Sequence, residues 1–124
     1  MSGKVLVVDD SILMRRMIGE TLSAAGWKVV GEAADGLQAV EQYQQLRPDA
    51  VTMDIVMPGA GGIYALEEIL KIDPAARVVV VSALNQTRMI SEAIRKGAQD
   101  FIAKPFLPEQ LQATMANCLP AVAV

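Results

Sequence analysis

The sequence predicts an α/β fold, a (βα)5 doubly wound parallel five-stranded sheet with strand order 2-1-3-4-5. Two observations lead there. Short apolar runs alternate along the whole chain with stretches of helical length, and most of these runs are continuous rather than alternating, as strands buried on both faces of a parallel sheet require. A third observation agrees with them: acidic residues, a hydroxyl and a lysine follow the strands, where open parallel sheets bind ligands.

Taken in order, the first strand covers residues 5–8 (VLVV) and the helix after it residues 11–25, with Ser11 as N-cap and Gly26 placed to end it. Met14, Ile18, Leu22 and Ala25 form one stripe on this helix. The second strand, 28–32, alternates weakly, which marks a less buried edge position. Asp35 caps the next helix, 36–46, where Tyr43 lies three residues after Val40 on the core side. A third strand at 50–53 leads to a helix at 63–72 with Ile63, Leu66 and Leu70 in line. The fourth strand, 77–81, precedes a helix at 87–96 that Gly97 ends. The fifth strand, 100–103, precedes a helix at 108–119, which Pro108 opens and along which Leu111, Met115 and Leu119 align. Most of the seven methionines therefore read as core. The tail LPAVAV reads either as a frayed end or as the start of a connector.

A chain of 124 residues has the length of one domain, spanning 1–124, that buries about two-thirds of its unfolded surface. No internal repeat or flexible linker divides it. Although 52% of residues are hydrophobic, no apolar run approaches the ~18 residues of a membrane span. The opening MSGK runs straight into a strand without a secretory signal, so the expected location is cytoplasmic. The one cysteine, Cys118, reads as helix packing and cannot form an internal disulfide. A net charge of −3 without a basic cluster argues against direct nucleic acid binding.

The polar residues at the strand ends carry the chemistry. Asp9 and Asp10 follow the first strand, Asp54 the third, Ser82 the fourth and Lys104 the fifth. With strand order 2-1-3-4-5, the chain reverses between the first and third strands, and three carboxylates meet there at strand ends expected to be buried. Such a cluster needs a cation, and hard oxygen donors without histidine or thiolate favour Mg²⁺ or Mn²⁺. Taken singly, Ser82 reads as a hydroxyl capping a backbone group, Lys104 as a surface charge and Asp54 as a turn residue. Thr52 reads as sheet packing.

The stretches VLVVDDS, DAVTMDIVMPGAGG, VVVVSA and GAQDFIAKPF, in this order and spacing, resemble the receiver domain of bacterial response regulators. The likeness runs nearly end to end and is strongest to stand-alone, CheY-like chemotaxis regulators, whose fold is flavodoxin-like. The resemblance implies that Asp54 accepts a phosphoryl group from a phosphohistidine on a histidine kinase or from a small phosphodonor. It implies Mg²⁺ held by Asp10, Asp54 and the Val56 carbonyl, with Asp9 acting directly or through water. Lys104 then neutralises phosphoryl oxygens, Ser82 is the switch hydroxyl, Ala83 leaves the pocket open, and Gly62 opens the third helix. The Lys104-Pro105 bond is commonly cis in the family. The implied output is a changed surface on the fourth helix, fifth strand and fifth helix that meets a downstream effector, the flagellar switch being the favoured one. Arg88, Arg95 and Lys96 are candidate contacts there, with ordinary solvated charge as the competing reading.

Departures from the family pattern are specific. Phe101 stands where chemotaxis regulators often carry tyrosine, so coupling through a phenolic hydroxyl is absent. Gly59, Ala60 and Gly61 form a loop of small residues, expected to be more mobile than usual. Val56 and Leu84 flank the route of water to the phosphoryl group, and their apolar side chains imply slow self-dephosphorylation. Other classes fail on sequence: there is no complete G-x-G-x-x-G and no phosphate-binding G-x-x-x-x-G-K-[ST] loop. Neither Asp9 nor Asp54 has the second aspartate of a phosphoaspartyl hydrolase, and a chain with no histidine carries no Ser-His-Asp triad. The remaining alternative is a receiver cut from a larger regulator, such as a DNA-binding regulator, a methylesterase or a hybrid kinase.

Overall fold

The computed structural model describes residues 3–118. Five strands, β1 (Lys4–Val8), β2 (Lys28–Ala33), β3 (Ala50–Asp54), β4 (Val78–Ala83) and β5 (Asp100–Lys104), alternate with five helices. The helices are α1 (Ile12–Ala24), α2 (Gly36–Leu46), α3 (Gly62–Ile72), α4 (Thr87–Arg95) and α5 (Pro108–Cys118). All pairings are parallel and the order is β2-β1-β3-β4-β5, as expected from the sequence.

Period-two alternation splits the core into two layers. Leu6, Val8, Val51, Met53, Val78 and Val80 pack against α2, α3 and α4 through Ala39, Tyr43, Ala65, Leu66, Ile69 and Ala93. On the other face Val5, Val7, Val79 and Val81 pack against Ile18 and Leu22 of α1 and Leu111, Met115 and Cys118 of α5. The caps follow the sequence as well. Ser11 Oγ accepts from the Met14 N–H at 3.2 Å, and Asp35 Oδ1 from the Gln38 N–H at 2.8 Å. Gly26 and Gly97 take positive φ values of 95° and 114° just past their helices, a region open to glycine at little cost.

Four expectations change. β3, β4 and β5 run beyond their apolar runs, so Asp54 and Lys104 are the last residues of their strands and Ser82 lies inside β4. The ladder is made by backbone groups, which continue pairing where side chains have turned polar. β5 is not buried on both faces. It is the second edge of the sheet, and Phe101 is 43% exposed. Ala25 lies outside the buried stripe of α1, because the helix ends before it and buried Trp27 fills that end of the layer instead. Met17 likewise faces out, whereas Met53, Met57 and Met115 are buried. The expectations for Leu119 and the tail LPAVAV lie outside the described residues.

No helix among the described residues is long and apolar enough to cross a membrane.

Candidate functional site

Register decides which polar residues meet. Val8 pairs with Met53, so Asp9 and Asp54 are next along adjacent strands at the point where strand order reverses. On the other side of β3, Asp54 pairs with Val81, one residue before Ser82. β5 then places Lys104 opposite Ala83. Four of the residues singled out from sequence thus come from four adjacent strand ends, three on the buried strands β1, β3 and β4 and one on the edge strand β5.

Lys104 binds the site together. Its ammonium donates to Asp9 Oδ2 at 3.0 Å and stands 3.7 Å from Asp54 Oδ2. The Lys104-Pro105 peptide directly after it is cis. Asp9 is anchored further: its Oδ1 accepts from the Ser11 N–H at 2.9 Å, and its own N–H donates to the Ala33 carbonyl at 3.0 Å. Asp54 is held less firmly, with Oδ1 accepting from the Val56 N–H at 3.4 Å.

Asp54 is buried, and this burial pushes its pKa up to about 6 from an ordinary 3.8. The Lys104 charge opposes that rise, Asp9 adds to it, the Val56 N–H opposes it, and Asp10 adds a little more. One lysine therefore does not balance three carboxylates. One ligand oxygen from each of Asp9, Asp10 and Asp54 lies within 4.8 Å of the others, a spacing that a cation preferring oxygen can bridge. Not all three are buried, as sequence suggested: Asp9 and Asp54 are, but Asp10 lies past the end of β1 and is exposed. Val56 and Leu84 are also exposed, at 47% and 70%.

Around Asp54 the backbone approaches closely. A Cβ on Gly62 would sit 2.3 Å from the Asp54 carbonyl oxygen, so only glycine fits where α3 begins. The Gly59, Ala60, Gly61 loop is tied down at Ala60, whose carbonyl accepts from the Gly36 N–H at 2.8 Å. Small residues here serve close packing between α2 and the loop as well as freedom.

Two residues at the site gave no sequence signal of their own. Arg15 on α1 donates through a terminal guanidinium nitrogen to the Asp9 carbonyl at 2.6 Å and through Nε to Glu32 at 2.9 Å, fixing the turn that carries the acidic pair. An arginine early in an amphipathic helix ordinarily reads as solvated. Gln86, just before α4, accepts through Oε1 from the Ser82 hydroxyl and from the Ala83 N–H. Ser82 is fully buried.

The response regulator receiver domain family matches residues 5–116 of this chain. The chemotaxis protein CheY of Thermotoga maritima is 51% identical over 111 residues, covering 90% of this chain and 92% of that protein. A protein-glutamate methylesterase/protein-glutamine glutaminase of the same organism is 50% identical over 105 residues, which cover 82% of this chain and 30% of that protein. Among solved structures, a chain of the CheX-CheY-BeF3-Mg²⁺ complex from Borrelia burgdorferi superimposes with a TM-score of 0.87 at 34% identity, covering 92% of this chain and 87% of that one.

Proposed function

This chain belongs to the response regulator receiver domain family, and we propose that it works as a phosphoryl-accepting switch of chemotaxis with Asp54 as the acceptor. Receivers are signalling modules of two-component systems, and the similarity to CheY proteins favours chemotaxis over other outputs. A single observation carries the residue assignment: Lys104 reaches both Asp9 and Asp54, at 3.0 and 3.7 Å, across the reversal point of the sheet.

The chemistry follows from that arrangement. An Asp54 carboxylate oxygen attacks the phosphorus of a phosphohistidine on a histidine kinase; the P–O bond forms as the P–N bond breaks, and the imidazole leaves with the electron pair and takes a proton from solvent. Burial keeps the Asp54 carboxylate poorly solvated, so less water must be stripped before attack. Lys104 meets the negative charge that builds on the phosphoryl oxygens. Asp9, Asp10, Asp54 and the Val56 carbonyl would hold Mg²⁺, which supplies further positive charge at those oxygens; the acidic trio and its hard oxygen donors fit such an ion. Ser82 then donates to a phosphoryl oxygen, and the surface formed by α4, β5 and α5 changes for an effector, the flagellar switch in this reading. Catalysis by the chain is confined to its own phosphorylation and slow dephosphorylation.

We place the protein in the cytoplasm as a single receiver domain over 1–124, with the family match over 5–116 in support. The lone, buried Cys118 suits a reducing compartment. A second reading, a receiver that is part of a longer regulator, is favoured by the match to 30% of the methylesterase, and the reading frame beyond Val124 separates the two.

The test is incubation with acetyl phosphate and Mg²⁺ followed by intact mass. One labile phosphoryl adduct, absent from Asp54→Asn and from a chelator-treated sample, is the expected result. Persistence of the adduct in Asp54→Asn would remove the assignment.

A further inference from the structure

We propose that Gln86 is a positioning residue that holds the Ser82 hydroxyl in a resting orientation and thereby opposes the phosphorylated state. The inference rests on the reading of Asp54 and Ser82 given above. It begins with the identity of the atom facing Ser82. The Ala83 N–H can only donate, and it points at the Gln86 side chain at 3.0 Å, so the atom there is the carbonyl oxygen and not the amide nitrogen. An oxygen with no proton obliges the Ser82 hydroxyl to be the donor in their contact. A serine hydroxyl has a single proton. While it is given to Gln86, it is not available to a phosphoryl oxygen on Asp54.

The placement of Gln86 ties that proton to α4. Its backbone carbonyl accepts from the Ile90 N–H at 3.0 Å, which starts the helix, and its own N–H donates to the Ala83 carbonyl at 3.1 Å. Glutamine is a poor N-cap beside Ser, Thr, Asp or Asn, and this one caps no helical N–H with its side chain. The side chain turns back to the end of β4 instead. Ser82 leaving Gln86 therefore loosens one of the contacts that fix the start of α4 against the sheet. Otherwise α4 rests on the sheet through buried Ala93 and the partly buried Met89 and Ile90.

A contact present in the resting state and lost in the liganded state must weaken ligand binding by its own contribution. The experiment measures the affinity of beryllofluoride, a phosphoryl mimic, with Mg²⁺ by calorimetry. Four proteins are compared: the unaltered chain, Gln86→Ala, Ser82→Ala, and the double variant, each with its fold checked by circular dichroism. Gln86→Met provides a second variant of similar length without an acceptor. Removing Gln86 is expected to tighten binding about threefold to tenfold when Ser82 is present and to change nothing when Ser82 is alanine. Both variants take the partner from the Ala83 N–H in each Ser82 background alike, so that loss cancels in the comparison between backgrounds. An equal effect in both Ser82 backgrounds, or weaker binding by Gln86→Ala and Gln86→Met, would overturn the proposal while leaving the acceptor assignment intact. Failure of the unaltered chain to bind beryllofluoride would overturn both.

Discussion

The two ends of the sheet contain similar residues in opposite states of balance. At the amino end, each acidic side chain has its own donors. Asp49 Oδ2 accepts from the Lys4 N–H at 2.7 Å, while Asp73 accepts from the Ala75 N–H at 2.9 Å and the Tyr43 hydroxyl at 3.0 Å. At the carboxyl end, Asp9 and Asp54 share one lysine with Asp10 close by, and burial pushes Asp54 up to about 6. The same strands join the two ends, so the difference lies in what the polar groups are offered. Satisfied acids fix a fold; in the function proposed above, acids short of positive charge are the ones that receive a cation and a phosphoryl group.

Lys104→Met should break the comparison most severely. Removing the cation that reaches both Asp9 and Asp54 is expected to slow adduct formation from acetyl phosphate by about 10²–10³-fold, followed as intact mass against time at fixed Mg²⁺. Asp54→Asn should sharpen it from the other side. With chelator present, at neutral pH, the variant should be more stable than the parent by roughly 1–3 kcal/mol in urea unfolding, because it removes a carboxylate that burial holds well above its ordinary range. A variant less stable than the parent would show that the carboxyl end is not short of positive charge.

At the amino end the sign reverses. Tyr43→Phe should cost about 1 kcal/mol at neutral pH through the lost Asp73 contact, with phosphorylation rate unchanged. Tyr43 also sets a pH window. Burial, and then the hydrogen bond and charge of Asp73, raise its pKa from 10.0 to about 12, so the folded state keeps a proton that the unfolded chain gives up. Stability from this group is complete below pH 10 and falls as pH rises toward 12, and Tyr43→Phe should lose that slope. The smallest change concerns the middle of the sheet. Thr52 Oγ1 is buried without a partner among the described residues, and Thr52 pairs with Val7 on one side and Val79 on the other. Thr52→Val should be neutral or stabilise by up to about 1 kcal/mol in the same unfolding experiment.

What could be read in the sequence followed from period and order. Continuous apolar runs identified the central strands, weak alternation identified β2 as an edge, and polar residues at fixed places after those runs singled out Asp9, Asp10, Asp54, Ser82 and Lys104, which the fold brings to one end of the sheet. β5 was misjudged as doubly buried because Phe101 and Ile102 are apolar whether or not anything covers them, and edge position is a property of the whole sheet. The burial assigned to Asp10 failed for a related reason, since one residue past a strand end is enough to leave the layer. Gln86 and Arg15 escaped because each is an ordinary helix-start or helix-surface residue whose side chain turns inward. Only the contact partners, distant or four residues away, reveal that.

Gly36 has no side chain, and a Cβ there would lie 2.5 Å from the Ala60 carbonyl oxygen. With Gly62 closing the other side, the seven residues from Ile55 to Gly61 are bounded by two positions that admit no added atom. The loop after Asp54 is therefore closed at its two packed points and open at its tip, where nothing lies within 4 Å of a Cβ built on Gly59. Anyone placing a tag, a fluorophore or a fusion joint in this protein should leave Gly36 and Gly62 untouched.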